Sequence, residues 1–160
     1  MKETQFLIKI TEYSNKTELE KVDNTLANEA YSICGNAYAP YSKFKVGAAV
    51  LLKNGKIITG TNQENAAYPS GLCAERTALF YANSKYPDIP VIAIAIAAKN
   101  NGVFTELPVS PCGSCRQVII ETETRFKTPV KIIMLGSNKI SIIENAKSLL
   151  PLSFNENDIL

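Results

Sequence analysis

The sequence predicts an α/β fold in which a mixed sheet lies between helical layers. Helix-forming segments alternate with short apolar segments of strand length along much of the chain. An Asn54-Gly55 pair separates two strand-like runs, which is typical of a hairpin. With 160 residues, and no repeat or Pro/Gly/Ser-rich linker to divide it, the chain has the size of one ordinary domain.

The first half of the chain predicts a helix followed by a hairpin. Residues 4–13 alternate weakly and suggest an additional strand, and apolar residues recur at helical spacing from 17 to 38. Pro40 is expected to end that helix. The runs 44–52 and 56–60 predict antiparallel strands joined by a two-residue turn at Asn54-Gly55.

The second half predicts alternating helices and strands. Helices are expected at 73–84, 112–126 and 144–150, and strands at 91–98, 131–135 and 140–143. Pro111 suits the position immediately before the second of these helices. The two helices that begin with cysteines are therefore expected to pack on the sheet as parts of one domain.

Composition and charge exclude several classes of partner. The chain is 46% hydrophobic and 20% charged, as in folded globular proteins. Its formal charge of +2 is too small for a broad phosphate-binding surface, so no nucleic-acid partner is expected. No apolar run reaches the roughly 18 residues of a membrane span, and the mixed start does not resemble a signal peptide. We expect a cytoplasmic protein without a membrane partner.

The chain contains four cysteines and no histidine. The absence of histidine excludes Ser-His and Cys-His couples and every metal site that needs imidazole. A general base must then be a carboxylate, a lysine or a perturbed cysteine. In a cytoplasmic protein, cysteines favour metal binding, catalysis or packing over disulfides. Cys34, on the apolar side of a predicted helix, is expected to pack in the core.

Three cysteines at the predicted starts of two helices indicate a catalytic zinc site. Cys112 and Cys115 lie three residues apart, so both sulfurs point to one side of a first helical turn, and Cys73 begins the other helix. Three protein ligands leave a tetrahedral zinc ion one position for water, whose pKa the metal lowers towards about 7. Glu75, two residues after Cys73, could accept and deliver that water's protons.

The predicted ligand set carries an excess of negative charge. Three thiolates and one zinc ion sum to minus one, which weakens the metal as a Lewis acid. Arg76 and Arg116 each follow closely on a cysteine or on Glu75. A guanidinium that donates to a thiolate sulfur would offset the charge, so both arginines are predicted to support the site.

Five segments, in their order along the chain, carry a family resemblance. A three-cysteine zinc site with a non-ligand glutamate and a Pro-Cys-x-x-Cys segment is similar to that of zinc nucleobase deaminases. The five segments are Ala37–Ala49, Asn62–Tyr68, Cys73–Ala78, Pro111–Gln117 and Leu149–Phe154. Together these segments resemble the small, homotetrameric, zinc-dependent cytidine deaminases over roughly residues 25–158.

The resemblance implies a fold and an assembly. It implies a three-layer α/β/α fold with a mixed five-stranded sheet, one zinc ion per subunit, and a homotetramer whose subunits share active sites. Residues 1–20 precede the family's first helix and form an N-terminal extension, with the deaminase domain at 21–160. No role can be assigned to the extension from its sequence.

The resemblance also implies an activity, the hydrolysis of cytidine and deoxycytidine to uridine and deoxyuridine, a reaction of pyrimidine salvage. The zinc-bound hydroxide would attack the base while Glu75 shuttles protons. Asn62 and Glu64 would bind the ribose hydroxyls, and Phe44 would pack beside the pyrimidine. Three further residues would complete the substrate-binding site across subunits: Ala66 and Tyr68, and Phe154, which would stack on the base.

Several alternatives stay open on the sequence alone. Cys112 and Cys115 by themselves fit a structural zinc site or packed thiols, and Phe44 fits an ordinary core position. Phe154 could be a buried anchor and Arg116 a surface charge. The substrate could be another nucleoside, a free base or an RNA-borne base, or the metal could only stabilise the fold.

Overall fold

The computed structural model describes residues 1–159, which contain three α-helices and seven strands. The helices are α1 (Lys21–Ile33), α2 (Ala74–Lys85) and α3 (Gly113–Phe126). The strands are β1 (Thr11–Tyr13), β2 (Phe44–Leu52), β3 (Ile57–Thr61), β4 (Val91–Asn100), β5 (Val103–Phe104), β6 (Lys131–Leu135) and β7 (Ile140–Ile143).

All seven strands form one mixed sheet. Its order is β1-β7-β6-β4-β2-β3, with β5 paired to β4. Strands β4 and β6 run parallel, and the other neighbours are antiparallel. The connection between the parallel strands contains α3, as expected because such strands need a long crossover. The predicted mixed sheet is confirmed.

The expectation of five strands is wrong, because two short strands extend the sheet to seven. Strand β5 folds back on β4 through Asn101 and Gly102, whose φ angles of 49° and 86° define a two-residue turn that suits the twist of a hairpin. Strand β1 pairs with β7, where Thr11 lies opposite Ile142, and Lys139 forms an ion pair with Glu12.

Four predicted elements have different limits. The first helix ends at Ile33, before a 3₁₀ turn at Cys34–Asn36 and well before Pro40, and the last predicted helix is only a 3₁₀ segment, Ala146–Leu149. The strand predicted at 4–13 is confined to β1. The first hairpin turns through three residues, 53–55, because the Leu52 N–H donates to the Lys56 carbonyl at 2.9 Å and Gly55 takes a φ of 83°.

Side chains alternate between two apolar cores on opposite faces of the sheet. Helix α1 covers one face, and α2 and α3 cover the other, so the molecule has three layers. Along β2, Ala48 and Val50 face α2 and α3, whereas Ala49 and Leu51 face α1. Burial of a valine or leucine side chain such as Val50 or Leu51 contributes about 1.5–3 kcal/mol to folding, and that of an alanine methyl group less. The fourth cysteine, Cys34, is fully buried, as predicted.

A glycine on β3 lets helix α2 approach the sheet closely. A Cβ at Gly60 would lie 2.5 Å from the Ala78 nitrogen and 2.8 Å from the Ala74 carbonyl oxygen, so only a residue without a side chain fits. The contact fixes the N-terminal half of α2, which begins immediately after Cys73. Within residues 1–159 no helix is long and apolar enough to cross a bilayer.

Candidate metal centre and adjoining cavity

Helices α2 and α3 bring three cysteine sulfurs together at their N-termini. Cys73 and Cys112 are the residues that precede α2 and α3, and Cys115 lies in the first turn of α3. Their sulfurs all lie within 4.8 Å of one another. The Cys73–Cys112 and Cys112–Cys115 sulfur distances are 3.8 and 3.5 Å.

This cluster fits a zinc ion. Two sulfurs that bind a tetrahedral zinc at about 2.3 Å lie about 3.8 Å apart, which is close to the observed spacing. Cys115 is buried, Cys73 is partly exposed and Cys112 is exposed, so the cluster lies at the protein surface with one side embedded. Three sulfurs leave a fourth tetrahedral position for a non-protein ligand.

The surroundings of the cluster favour ionisation of one thiol. Hydrogen bonding from Cys115, together with hydrogen bonds from Arg76 and Cys112, lowers the pKa of Cys73 to about 5. The pKa of Cys115 is raised, since it keeps the proton that it donates to Cys73 and is itself buried. A metal ion that displaces the remaining protons therefore finds Cys73 already a thiolate at neutral pH.

Glu75 lies in the first turn of α2 and is buried, with 5% of its surface exposed. Burial raises the pKa of its carboxyl above the ordinary value, and the charge of the nearby Cys73 thiolate adds to the effect. A carboxyl with a raised pKa can more easily both accept and release a proton near neutral pH, so Glu75 is suited to proton transfer.

The two predicted supporting arginines lie in different places. Arg76 Nη2 donates to the Cys73 sulfur at 3.7 Å, whereas its buried Nε has no hydrogen-bond partner among residues 1–159. Arg116 donates to two backbone carbonyls, those of Pro111 and Leu149, each at 2.9 Å. Arg116 thus ties the start of α3 to the segment after β7, and its hydrogen bonds do not reach a cysteine sulfur.

An open cavity of about 590 Å³ adjoins the cluster at Cys73. Five residues predicted for the site line it: Asn62, Glu64, Tyr68, Cys73 and Arg76. Six further residues that were not predicted complete the lining: Tyr41, Ser42, Gln63, Asn65, Gly71 and Leu72. Four of these six lie within the motifs at 37–49 and 62–68, so membership of these motifs could have predicted them as lining residues. Gly71 and Leu72 lie outside the motifs, and no sequence feature indicated them.

Two of the polar residues in the cavity are held by backbone groups. The Asn62 side chain donates to the Phe44 carbonyl at 2.9 Å and accepts from the Val46 N–H at 2.7 Å. The Glu64 carboxylate accepts hydrogen bonds from Tyr41 and Ser42, which lower its pKa. Both side chains are therefore fixed in direction within a single chain.

The remaining predicted residues do not line the cavity. Phe44 is half-buried at the start of β2, and Ala66 is exposed in the loop before α2. Phe154 is 61% exposed, and its carbonyl accepts a hydrogen bond from Gln117 of α3 at 2.7 Å. Tyr68 lines the cavity but is 77% exposed. Glu75, Cys112 and Cys115 are not among the lining residues, so of the cysteine cluster only Cys73 borders the cavity.

Comparison with known proteins places these features in a family. Residues 20–130 match the family model described as the cytidine and deoxycytidylate deaminase zinc-binding region. A cytidine deaminase of Halalkalibacterium halodurans is 51% identical over 96 residues, which cover 60% of this chain and 68% of the relative. A cytidine deaminase of Sporosarcina psychrophila is 44% identical over 124 residues, covering 77% of this chain and 84% of the relative.

Solved structures agree with this relationship. The cytidine deaminase of Burkholderia pseudomallei superimposes with a TM-score of 0.69 at 39% identity, covering 81% of this chain and 97% of that one. The cytidine deaminase of Mycobacterium tuberculosis gives a TM-score of 0.65 at 31% identity, covering 82% and 96%. The matched segment, the relatives and the cysteine cluster together show that the chain belongs to the cytidine and deoxycytidylate deaminase family, which carries a zinc-binding region.

Proposed function

We propose that this protein is a zinc-dependent cytidine deaminase that converts cytidine and deoxycytidine, with water, into uridine and deoxyuridine and ammonia, a reaction of pyrimidine salvage. The observation that carries the proposal is the three-sulfur cluster with the buried Glu75 beside it, next to an open cavity of about 590 Å³. Curated relatives named cytidine deaminase, at 44–51% identity, support the same activity.

The residues of the site divide the chemistry between them. Cys73, Cys112 and Cys115 would hold one zinc ion, which when bound supplies a Lewis acid that lowers the pKa of water. Glu75 takes a proton from the water that adds to the amine-bearing carbon and delivers it to the adjacent ring nitrogen. It then takes the remaining proton of the added hydroxyl and transfers it to the amine, the bond from carbon to that amine breaks, and the products are the 4-oxo base and ammonia. Its raised pKa suits both directions of transfer.

The cavity favours a nucleoside over a nucleotide. Asn62 and Glu64 offer polar groups for ribose hydroxyls, and Glu64 is ionised. Among the described residues, Arg76 is the only cation that lines the cavity, and it already donates to Cys73. A 5′-phosphate would therefore meet no free cation there, although the family also includes deoxycytidylate deaminases.

The site is completed, we propose, by neighbouring subunits of a homotetramer. Phe44 would pack beside the pyrimidine, Ala66 and Tyr68 would reach a neighbouring site, and Phe154 would stack on the base. The exposure of Tyr68 and Phe154 in a single chain supports such contacts, since large aromatic side chains that remain in water cost hydrophobic free energy. We further propose a cytoplasmic location and a deaminase domain at 21–160, with residues 1–20 as an N-terminal extension.

The test is a direct assay of the purified protein. Cytidine, deoxycytidine, deoxycytidylate and free cytosine are incubated separately, the ultraviolet change is followed, and bound zinc is measured by atomic absorption. We expect deamination of both nucleosides and about one zinc per chain, with much slower turnover of deoxycytidylate and cytosine. Full zinc occupancy with no turnover of any substrate would instead indicate a metal that only stabilises the fold.

A further inference from the structure

We propose that Ser42 is a positioning residue, which orients the Glu64 carboxylate towards the ribose of the substrate and thereby sets nucleoside affinity. This proposal rests on the proposed function for its kinetic consequences. The structural basis is a turn, residues 39–43, that donates hydrogen bonds to the Glu64 carboxylate from one side. Ser42 itself belongs to the wall of the cavity but does not have to touch the substrate.

The turn presents three donors to one carboxylate. The Tyr41 and Ser42 N–H groups donate to Glu64 Oε2 at 2.9 and 3.3 Å, and the Ser42 hydroxyl donates to Oε1. Lys43 closes the turn with an N–H bond to the Ala39 carbonyl at 3.2 Å and a φ of 57°, in the left-handed region. Successive backbone N–H groups in such a turn form a concave site for an anion.

The direction of the Ser42 hydroxyl is determined by a second bond. The Phe44 N–H donates to Ser42 Oγ at 3.0 Å, so that oxygen acts as an acceptor on one side. The single hydroxyl hydrogen is then available for Glu64. Since Phe44 begins β2, the serine links the carboxylate to the start of a central strand of the sheet.

The hydrogen bonds determine which oxygen remains free. A carboxylate oxygen accepts about two hydrogen bonds. Oε2 already accepts two from backbone groups, whereas within residues 1–159 Oε1 accepts only the hydrogen bond from the Ser42 hydroxyl. Oε1 therefore keeps an acceptor position for a ribose hydroxyl. Without the Ser42 hydroxyl, only Oε2 stays held by the backbone, and Oε1 can turn away from the cavity about that contact.

The kinetic arm compares substrates with and without ribose hydroxyls. In Ser42→Ala we expect the KM for cytidine to rise about tenfold, because one hydrogen bond to a charged group is lost. The kcat should stay nearly unchanged. Ser42→Thr, which keeps the hydroxyl, should restore KM. The inhibition constant of 2′,3′-dideoxycytidine should be the same in wild type and Ser42→Ala. A fall in kcat, or an equal loss for the dideoxy compound, would overturn the proposal.

A second arm does not depend on activity. The carboxyl of Glu64 is titrated by NMR in protein labelled with ¹³C-glutamate, its signal being the one that Glu64→Gln removes. Besides Ser42, the groups that face it are Lys43, whose charge lowers its pKa, and the cavity residues Tyr41, Tyr68 and Arg76. We expect the Glu64 pKa to rise in Ser42→Ala and to stay unchanged in the matched control Ser137→Ala, which lies in the β6–β7 turn.

The two arms separate the two proposals. If wild-type protein deaminates nothing, the proposed function fails, and the titration still decides whether Ser42 holds Glu64. An identical Glu64 titration in wild type and Ser42→Ala would overturn the Ser42 proposal whatever the activity. Ser42→Gly, which also lacks the hydroxyl but relaxes the turn, replaces Ser42→Ala if that variant does not fold.

Discussion

At the scale of single residues, the site combines a thiolate-favouring cluster with one buried acid. Hydrogen bonds from Cys115, Arg76 and Cys112 lower the pKa of Cys73, while burial raises the pKa of Glu75. Opposite shifts in neighbouring groups allow one to bind a cation while the other still exchanges protons. The assignment of these roles is a prediction that substitutions test directly.

Replacing Glu75 tests the proposed proton transfer. Glu75→Gln keeps the size and polarity of the side chain but cannot exchange a proton, so activity should fall by several orders of magnitude, about 10³-fold or more. Zinc content, measured by atomic absorption, and the thermal unfolding midpoint should match wild type. Turnover near the wild-type rate would remove Glu75 from the mechanism.

Replacing Arg76 tests the charge argument. In metal-free protein, Arg76→Gln should raise the pKa of Cys73 from about 5 towards the ordinary thiol value, because its hydrogen bond and charge stabilise the thiolate. Thiolate absorbance at 240 nm as a function of pH measures this. Activity should also fall, with little loss of folded protein.

The matched control for Arg76 is Arg116→Gln, which removes a guanidinium whose hydrogen bonds, in the described part of the chain, go to the Pro111 and Leu149 carbonyls. It should leave the thiolate titration unchanged. Equal shifts in the two variants would show that general positive charge, and not the contact between Arg76 and Cys73, controls ionisation.

At the scale of elements, the position of α2 depends on its close contact with β3. Gly60→Ala places a Cβ 2.5 Å from the backbone of Ala78, so helix and strand must separate. Overpacking of this kind costs about 1–3 kcal/mol, and the thermal midpoint should fall by about 5 °C. Activity should fall as well, since α2 carries Glu75 and follows Cys73.

A glycine in open space provides the comparison for Gly60. No atom lies within 4 Å of a Cβ built at Gly35, in the 3₁₀ turn after α1. Gly35→Ala should change the midpoint by no more than about 1–2 °C. If both variants unfold at the same temperature as wild type, the contact between α2 and β3 is not a constraint on the site.

At the scale of the whole molecule, a zinc ion held by the three cysteines would connect two helices that also pack on one sheet face. Cys73 belongs to the start of α2, and Cys112 and Cys115 to the start of α3. A ligand that binds only the folded chain stabilises it, by about 4 kcal/mol at a thousand times its Kd. Chelation of zinc should therefore lower the thermal midpoint by roughly 10 °C and abolish activity.

Cys112→Ala separates metal loss from general effects of the chelator. Cys112 is exposed, so the substitution removes a ligand with little loss of packing. We expect a variant with little zinc, no activity and a midpoint that the chelator does not change. Full zinc occupancy in Cys112→Ala, measured by atomic absorption, would contradict the ligand assignment.

Much of the local structure follows from local sequence. The limits of β2, β6 and β7 coincide with the predicted runs, because apolar segments of that length bounded by turn residues have few alternatives. The Asn101-Gly102 pair carried the same hairpin signal as Asn54-Gly55, so β5 was also predictable. The early end of α1, at Ile33, was not predictable from the sequence. The helical spacing of apolar residues continues into the following 3₁₀ turn, and only tertiary packing decides where the helix ends.

For the candidate site, the sequence by itself determined which side chains are available: three cysteines at two helix starts, a glutamate beside one of them, and no histidine. Helical geometry brings Cys112 and Cys115 to one side, so that pair needed no tertiary information. The tertiary structure decided what contacts join distant segments: Cys73 with Cys112, Arg116 with the Leu149 carbonyl, and Ser42 with Glu64. Such partners depend on how the sheet and helices pack, which residue spacing along the chain does not encode.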